Sequence, residues 1–209
     1  MLIQNHITTF IKIDKMLGVI LCGGLSSRMG TDKGLLKFNA TNWARIAFDK
    51  MSLLKLPVVL SVNANQFNEY SALFPASKLI KDQVPLQIHG PLCGVLSVHL
   101  QHPREDLFVL ACDMPLMDID ILQQLYTLYC SEPSNDAFVF SNDGEPEPLC
   151  GIYKAKGLAF IMHLFTTNQL IRHSMKFIIE HMKTFLIPLR EDQKKYFTNI
   201  NTHAELNGL

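Results

Sequence analysis

Short apolar runs alternate along the chain with longer segments whose apolar positions recur every three or four residues. The run 17–22 (Leu17, Gly18, Val19, Ile20, Leu21, Cys22) contains no charged position and ends at the pair Gly23-Gly24. That is the pattern of a strand covered on both faces. Trp43, Ile46, Ala47, Met51 and Leu54 then fall at helical spacing and predict a helix over 42–55, with Asn42 as its cap. Strands are predicted over 57–62 and 78–81, on either side of a helix over 66–73. A helix over 92–99 and a strand over 107–112 follow, and Asp118 or Asp120 caps a helix carrying Ile121, Leu122, Leu125 and Leu128. Strands over 137–141 and 149–153 are joined across the turn tripeptide Asn142-Asp143-Gly144. A helix over 174–182, a strand over 185–188 and a short closing helix over 202–206 complete the series.

Strand–helix alternation implies an α/β fold, a mostly parallel sheet with helices on both faces. Such sheets bind ligands beyond the carboxyl ends of their strands. The chemistry is therefore expected just after Cys22, Val62, Lys81 and Cys112, where unusual polar or glycine-rich sequence occurs.

Composition narrows the picture. With 209 residues, 48% of them hydrophobic, the chain suits one well-packed domain over 17–209 behind a short extension, 1–16. A chain of this size buries roughly 70% of its unfolded surface. The 19 basic side chains balance 19 acidic ones, which argues against a nucleic-acid binder. No apolar run approaches the ~20 residues of a membrane span, and the mixed extension lacks the pattern of a secretion signal. Met16 offers an internal start. The five cysteines are odd in number and widely spaced, the pattern of reduced thiols in a cytoplasmic protein rather than of disulfides or zinc. The eight histidines have no partners at metal-ligand spacing.

The stretch from Leu21 to Lys33 is the most informative. Glycines at 23, 24 and 30 let the backbone turn tightly and bring N–H groups from Leu21, Cys22, Gly23 and Gly24 against an anion. Arg28 and Lys33 add positive charge at a reach suited to a polyphosphate. Lys33 would act on the phosphates as a point charge whose effect grows as negative charge develops in the transition state. Neither a Walker A loop nor the Gly-x-Gly-x-x-Gly dinucleotide pattern fits.

The string Leu21-Cys22-Gly23-Gly24-Leu25-Ser26-Ser27-Arg28-Met29-Gly30-Thr31-Asp32-Lys33 resembles the signature of the nucleotidyltransferases related to molybdenum cofactor guanylyltransferase. Those enzymes attach GMP from GTP to molybdopterin and release pyrophosphate. The resemblance runs over about 17–206 and implies a Rossmann-like, three-layer nucleotidyltransferase fold and a magnesium-dependent reaction. It also implies GTP and molybdopterin as substrates, with molybdenum-cofactor biosynthesis proteins and molybdoenzyme chaperones as further partners.

Later motifs carry both a plain and a functional reading. Asn63 ends the second strand either as a turn residue or, as the resemblance implies, on the nucleotide. Asp82 ends the third either as a loop cap or as an acceptor for guanine or ribose. Gly90, Pro91, Leu92, Cys93 and Gly94 resemble the family's Gly-Pro-Leu-Ala-Gly turn into a helix and favour guanine over cytosine. Asp113 follows the strand 107–112 either as a turn residue capping the next helix or, as the resemblance implies, as a ligand of magnesium, an oxygen-seeking ion usually held by one or two carboxylates and substrate phosphates. The resemblance implies that Pro148, Asn199 and Asn201 lie toward the acceptor, and that Thr202 and Glu205 cap the last helix.

The chain departs from the pattern at Asn39-Ala40-Thr41-Asn42-Trp43, where a hairpin loses its Gly and Lys, and at Cys22 and Cys112, which replace small residues near the nucleotide. That placement raises the prospect of sensitivity to thiol reagents. The rivals are a relative that uses CTP or a sugar-phosphate or other acceptor, and a non-catalytic nucleotide-binding protein of the same fold. The second would be expected to lose Lys33 or Asp113, and both are present.

Overall fold

The computed structural model describes residues 16–23, 32–38, 40–83, 88 and 90–198. In chain order these form β1 (Met16–Leu21), a 3-10 turn (Lys33–Leu35), β2 (Lys37–Phe38), β3 (Thr41–Asn42), α1 (Trp43–Ser52), β4 (Val58–Val62) and α2 (Phe67–Ser71). Then come β5 (Leu79–Lys81), α3 (Pro91–Gln101), β6 (Asp106–Ala111), α4 (Ile119–Ser131), β7 (Ala137–Asn142) and β8 (Glu145–Tyr153). The chain continues with α5 (Ala155–Thr166), α6 (Met175–Glu180), β9 (Thr184–Pro188) and α7 (Glu191–Lys194).

Seven strands make one sheet in the order β5-β4-β1-β6-β8-β7-β9. Every neighbouring pair is parallel except the two made by β8, which runs against β6 and β7. The alternation of side chains along β1 explains why its sequence is apolar throughout. Met16, Ile20 and Cys22 join a core cluster with residues of α1 and α4, while Leu17, Val19 and Leu21 join a second with residues of α3, α5 and α6. A strand covered twice has no face on which a polar side chain could meet water.

Met16 pairs with Asp106 and is buried, so it belongs to β1 and not to the extension. The predicted elements otherwise appear with shifted ends. Asp118 is the cap of α4, accepting from the Asp120 N–H at 2.8 Å. A cap contributes about 1 kcal/mol, whereas fully burying Leu122 and Leu125 contributes roughly 1.5–3 kcal/mol each, so packing holds this helix and the cap sets where it starts.

Asn42 stands at the cap position of α1, yet its side chain makes no capping bond; it donates to the Leu35 carbonyl at 2.9 Å. The hairpin before it forms without the family's glycine, and Ala40 takes a left-handed φ of 66° in the bend. The second strand of the later hairpin starts at Glu145, not at 149, because Asp143 and Gly144 alone make the turn. The closing helix expected over 202–206 lies outside the described residues. Among the described residues, no helix is long and apolar enough to cross a membrane.

Gly94 lets α3 approach the sheet. A Cβ there would lie 2.5 Å from Ser61 Oγ and 3.1 Å from Leu21 Cδ2. Gly94→Ala should lower the unfolding free energy by about 1–3 kcal/mol, the usual cost of overpacking. Urea titration followed by circular dichroism checks this through the midpoint.

Candidate active site

The carboxyl ends of β1, β4, β5 and β6 meet at one edge because these strands are mutually parallel. Backbone bonds continue the ladder one residue beyond each strand: Cys22 N–H to the Ser61 carbonyl (3.0 Å), Asp82 N–H to Val62 (2.9 Å) and Cys112 N–H to Leu21 (3.1 Å). The residues after these points, Gly23, Asn63, Asp82 and Asp113, are therefore held at the rim of the sheet.

Lys33 opens the 3-10 turn, and Asp32 caps that turn by accepting the Gly34 N–H at 2.9 Å. From there Lys33 Nζ reaches Asp113 Oδ2 at 2.9 Å. The two side chains are only 19% and 18% exposed, so the pair is largely buried, where desolvation offsets much of the attraction between the charges. Its consequence is to hold a cation and a carboxylate side by side at the ligand edge. The other oxygen, Asp113 Oδ1, is buried and has no hydrogen-bond partner among the described residues. An orphaned carboxylate oxygen at such a place fits a divalent cation, and Asp113 is the residue that would hold it. Among the described residues, no group of three or more His, Cys, Asp or Glu side chains could form a metal cage.

Lys50, from α1, supports the turn after Asp113. Its half-buried ammonium donates to the Pro115 carbonyl at 2.8 Å and also to the Met117 carbonyl, and burial lowers its pKa. Sequence reading missed this residue because its partners lie in a distant turn.

Asp82 receives the Ser61 hydroxyl at 2.7 Å, and its second oxygen lies 3.0 Å from where a Cβ on Gly23 would sit. Burial raises its pKa, and the Ser61 bond offsets this only in part. Gly90 has a φ of 74°, a left-handed value natural to glycine, and turns the chain into α3 with Pro91 at the first helical position. Cys93, in the first turn, has its thiol pKa raised by burial and by the nearby Asp82 charge. The side chains of Leu21 and Leu92 are in the core, and Gly94 packs on Ser61, so these three can meet a ligand only through backbone or through packing. Asn63 Oδ1 accepts the N–H groups of Asn65 (2.9 Å) and Gln66 (3.1 Å), the turn role of the two open readings.

Pro148 is buried where the pairing of β7 with β8 shifts register, and its carbonyl accepts the Tyr153 hydroxyl at 2.6 Å. β8 pairs with β6 only up to Cys150, opposite Leu110, which leaves Pro148 at the end of the sheet where β6 delivers Asp113. The neighbouring Cys22 thiol and burial both raise the thiol pKa of Cys112. Reactivity requires the thiolate, so this environment argues against Cys112 as a target of thiol reagents. Gly24, Arg28, Asn199, Asn201, Thr202 and Glu205 lie outside the described residues.

A sequence profile of the MobA-like NTP transferase domain matches residues 18–184, from β1 to the start of β9. The chain belongs to this family. A probable molybdenum cofactor guanylyltransferase of Flavobacterium johnsoniae is 28% identical over 190 residues, covering 91% of this chain and 94% of that protein. A molybdenum cofactor guanylyltransferase of Campylobacter jejuni is 25% identical over 195 residues, covering 93% and 95%. The crystal structure of molybdopterin-guanine dinucleotide biosynthesis protein A from Archaeoglobus fulgidus shares the fold, with a TM-score of 0.75, 21% identity and coverage of 92% and 96%.

Lys50→Met keeps the buried stem and removes both hydrogen bonds to the turn after Asp113. It should lower stability by about 1–2 kcal/mol, measurable as a lower thermal midpoint.

Proposed function

We propose that this MobA-like transferase moves GMP from GTP to the phosphate of molybdopterin, with magnesium as its cofactor. The observation that carries the reading is the Lys33–Asp113 pair at the rim of the sheet, with one Asp113 oxygen left unpartnered among the described residues. The guanylyltransferase names of relatives spanning nearly the whole chain support the choice of donor and acceptor.

In the reaction, an oxygen of the molybdopterin phosphate attacks the α-phosphorus of GTP. A new P–O bond forms as the bond to the β-phosphate oxygen breaks, and the electron pair leaves with pyrophosphate. No protein nucleophile is needed, because the work is positioning and neutralising charge. Magnesium held at Asp113 would neutralise phosphate charge. The Lys33 ammonium, already aimed at this edge, moves onto the phosphates as their charge develops. The backbone N–H groups of Gly23 and Gly24, together with Arg28, orient the triphosphate; Leu21 and Cys22, expected to donate as well, set the end of β1 instead, the Cys22 N–H being already given to the Ser61 carbonyl. Asp82, Asn63 and the turn from Gly90 to Gly94 hold the nucleoside, and Pro148, Asn199 and Asn201 lie toward the acceptor. Molybdenum-cofactor biosynthesis proteins and molybdoenzyme chaperones would exchange acceptor and product with the enzyme in the cytoplasm.

Titration with GTP, CTP, UTP and ATP, each with magnesium, should show clear preference for GTP. A preference for CTP would overturn the guanylyl product. In a transfer assay with labelled GTP and molybdopterin, Lys33→Met and Asp113→Asn should each lower kcat roughly 100- to 1000-fold, the usual loss for one charge-stabilising group.

Asp82 must be ionised to accept hydrogen bonds from guanine, and its pKa is raised by burial. The protonated form is therefore reached as pH falls through a value above that of an ordinary aspartate, and KM for GTP should rise there. Asp82→Asn should give a higher KM that no longer changes over that interval; a wild-type slope retained in the variant would remove Asp82 from the nucleoside site.

A further inference from the structure

Gln66, at the entry to α2, is buried to 9% exposure, and its carboxamide joins three segments of the rim. The amide nitrogen donates to the Cys22 carbonyl at 3.1 Å and to Asp32 Oδ2 at 2.7 Å. The amide oxygen accepts the Asn63 N–H at 3.1 Å. The other Asp32 oxygen accepts the Gly34 N–H at 2.9 Å and the Tyr70 hydroxyl at 3.1 Å. Tyr70 is itself buried, and a Cβ on Gly34 would lie 2.1 Å from its hydroxyl oxygen, so only glycine lets the 3-10 turn sit there.

This network is costly. Burial raises the pKa of Asp32, while the Gly34 N–H, Tyr70 and Gln66 act to lower it. A core that needed only filling would be as stable with apolar side chains of the same volume. What the polar groups add is direction: an amide nitrogen between two acceptors can adopt one orientation only. The chain positions so fixed are the one after β1, the one after β4 and the one before Lys33.

We infer that Gln66 is a positioning residue for the transfer reaction: by tying Cys22 and Asp32 together, it sets the turn from which Lys33 reaches Asp113. The inference rests on the function proposed above and extends it to a residue that touches no substrate.

The test reverses the polarity of one bond. Gln66→Glu places an acceptor against two acceptors, whereas Asp32→Asn/Gln66→Glu restores a donor between positions 32 and 66. The amide oxygen that the double variant carries at position 32 can still accept from Gly34 and Tyr70. In Gln66→Glu, kcat should fall roughly 10- to 100-fold, the scale of loss for misplaced catalytic groups. Acylation of Lys33 by acetic anhydride, followed by mass spectrometry, should speed up toward its rate in Asp113→Asn. The double variant should recover a large part of both. If Gln66→Glu does not fold, Gln66→Met, which keeps the volume without the donor, is compared with wild type on the same two measurements and should show the same losses.

A folded single variant with wild-type Lys33 reactivity and kcat would overturn the inference, as would a double variant no better than the single. The labelling needs no nucleotide. A wild-type protein that transfers no GMP, with Lys33 labelling changed as expected, would count against the functional reading and leave the positioning role standing.

Discussion

A parallel sheet covered on both faces has only its ends to offer water or a ligand. Each of β1, β4, β5 and β6 is apolar along most of its length and stops at the same edge, so the first polar residue after each strand is delivered to one place. Everything at the candidate site depends on this. Asp82 and Asp113 stand 31 residues apart in the chain yet share the rim, because their strands are two positions to one side of β1 and one position to the other.

The rim is electrostatically mixed, and its carboxylates are not equivalent. Asp113 keeps some contact with water and has a cation beside it, so it is suited to exchange one partner for another when a polyphosphate arrives. Asp82 has a single hydroxyl donor and surroundings whose burial raises its pKa, which leaves it in need of further donors, the property expected of the nucleoside-binding group proposed above. Asp32 already has three donors and faces the interior of the rim, where its role is to orient. One residue type thus serves three purposes, set by the kind and number of donors each carboxylate finds.

Several elements are hard to read from sequence for identifiable reasons. The segment that forms α5 is apolar along most of its length, with Phe160 left half-exposed, and no element is predicted there. The four-residue α7 buries little beyond Gln193 and has no run long enough to reveal it. The early start of β8 is hidden by its two prolines, which read as loop; Pro146 sits opposite Ser141 in the ladder, and Pro148 falls where the pairing with β7 shifts register. Among site residues, Gln66 and Lys50 are invisible for a different reason. Their partners are backbone carbonyls and a carboxylate far away in sequence, and no local pattern records such a bond.

The sequence by itself determined the alternation of strands and helices and the placing of Asp82 and Asp113 just after strands, at the sheet edge proposed here for the chemistry. Those features depend on apolar period and on residue type at a strand end, which are local properties. The tertiary structure alone decided that β8 runs against its neighbours, that Lys33 meets Asp113, that the Leu92 side chain turns inward, and that Gln66, at the entry to α2, and Tyr70, within it, both hydrogen-bond Asp32. Each of these is a choice among partners brought together only by the packed sheet, and hydrogen-bond geometry over a few ångströms selects among them.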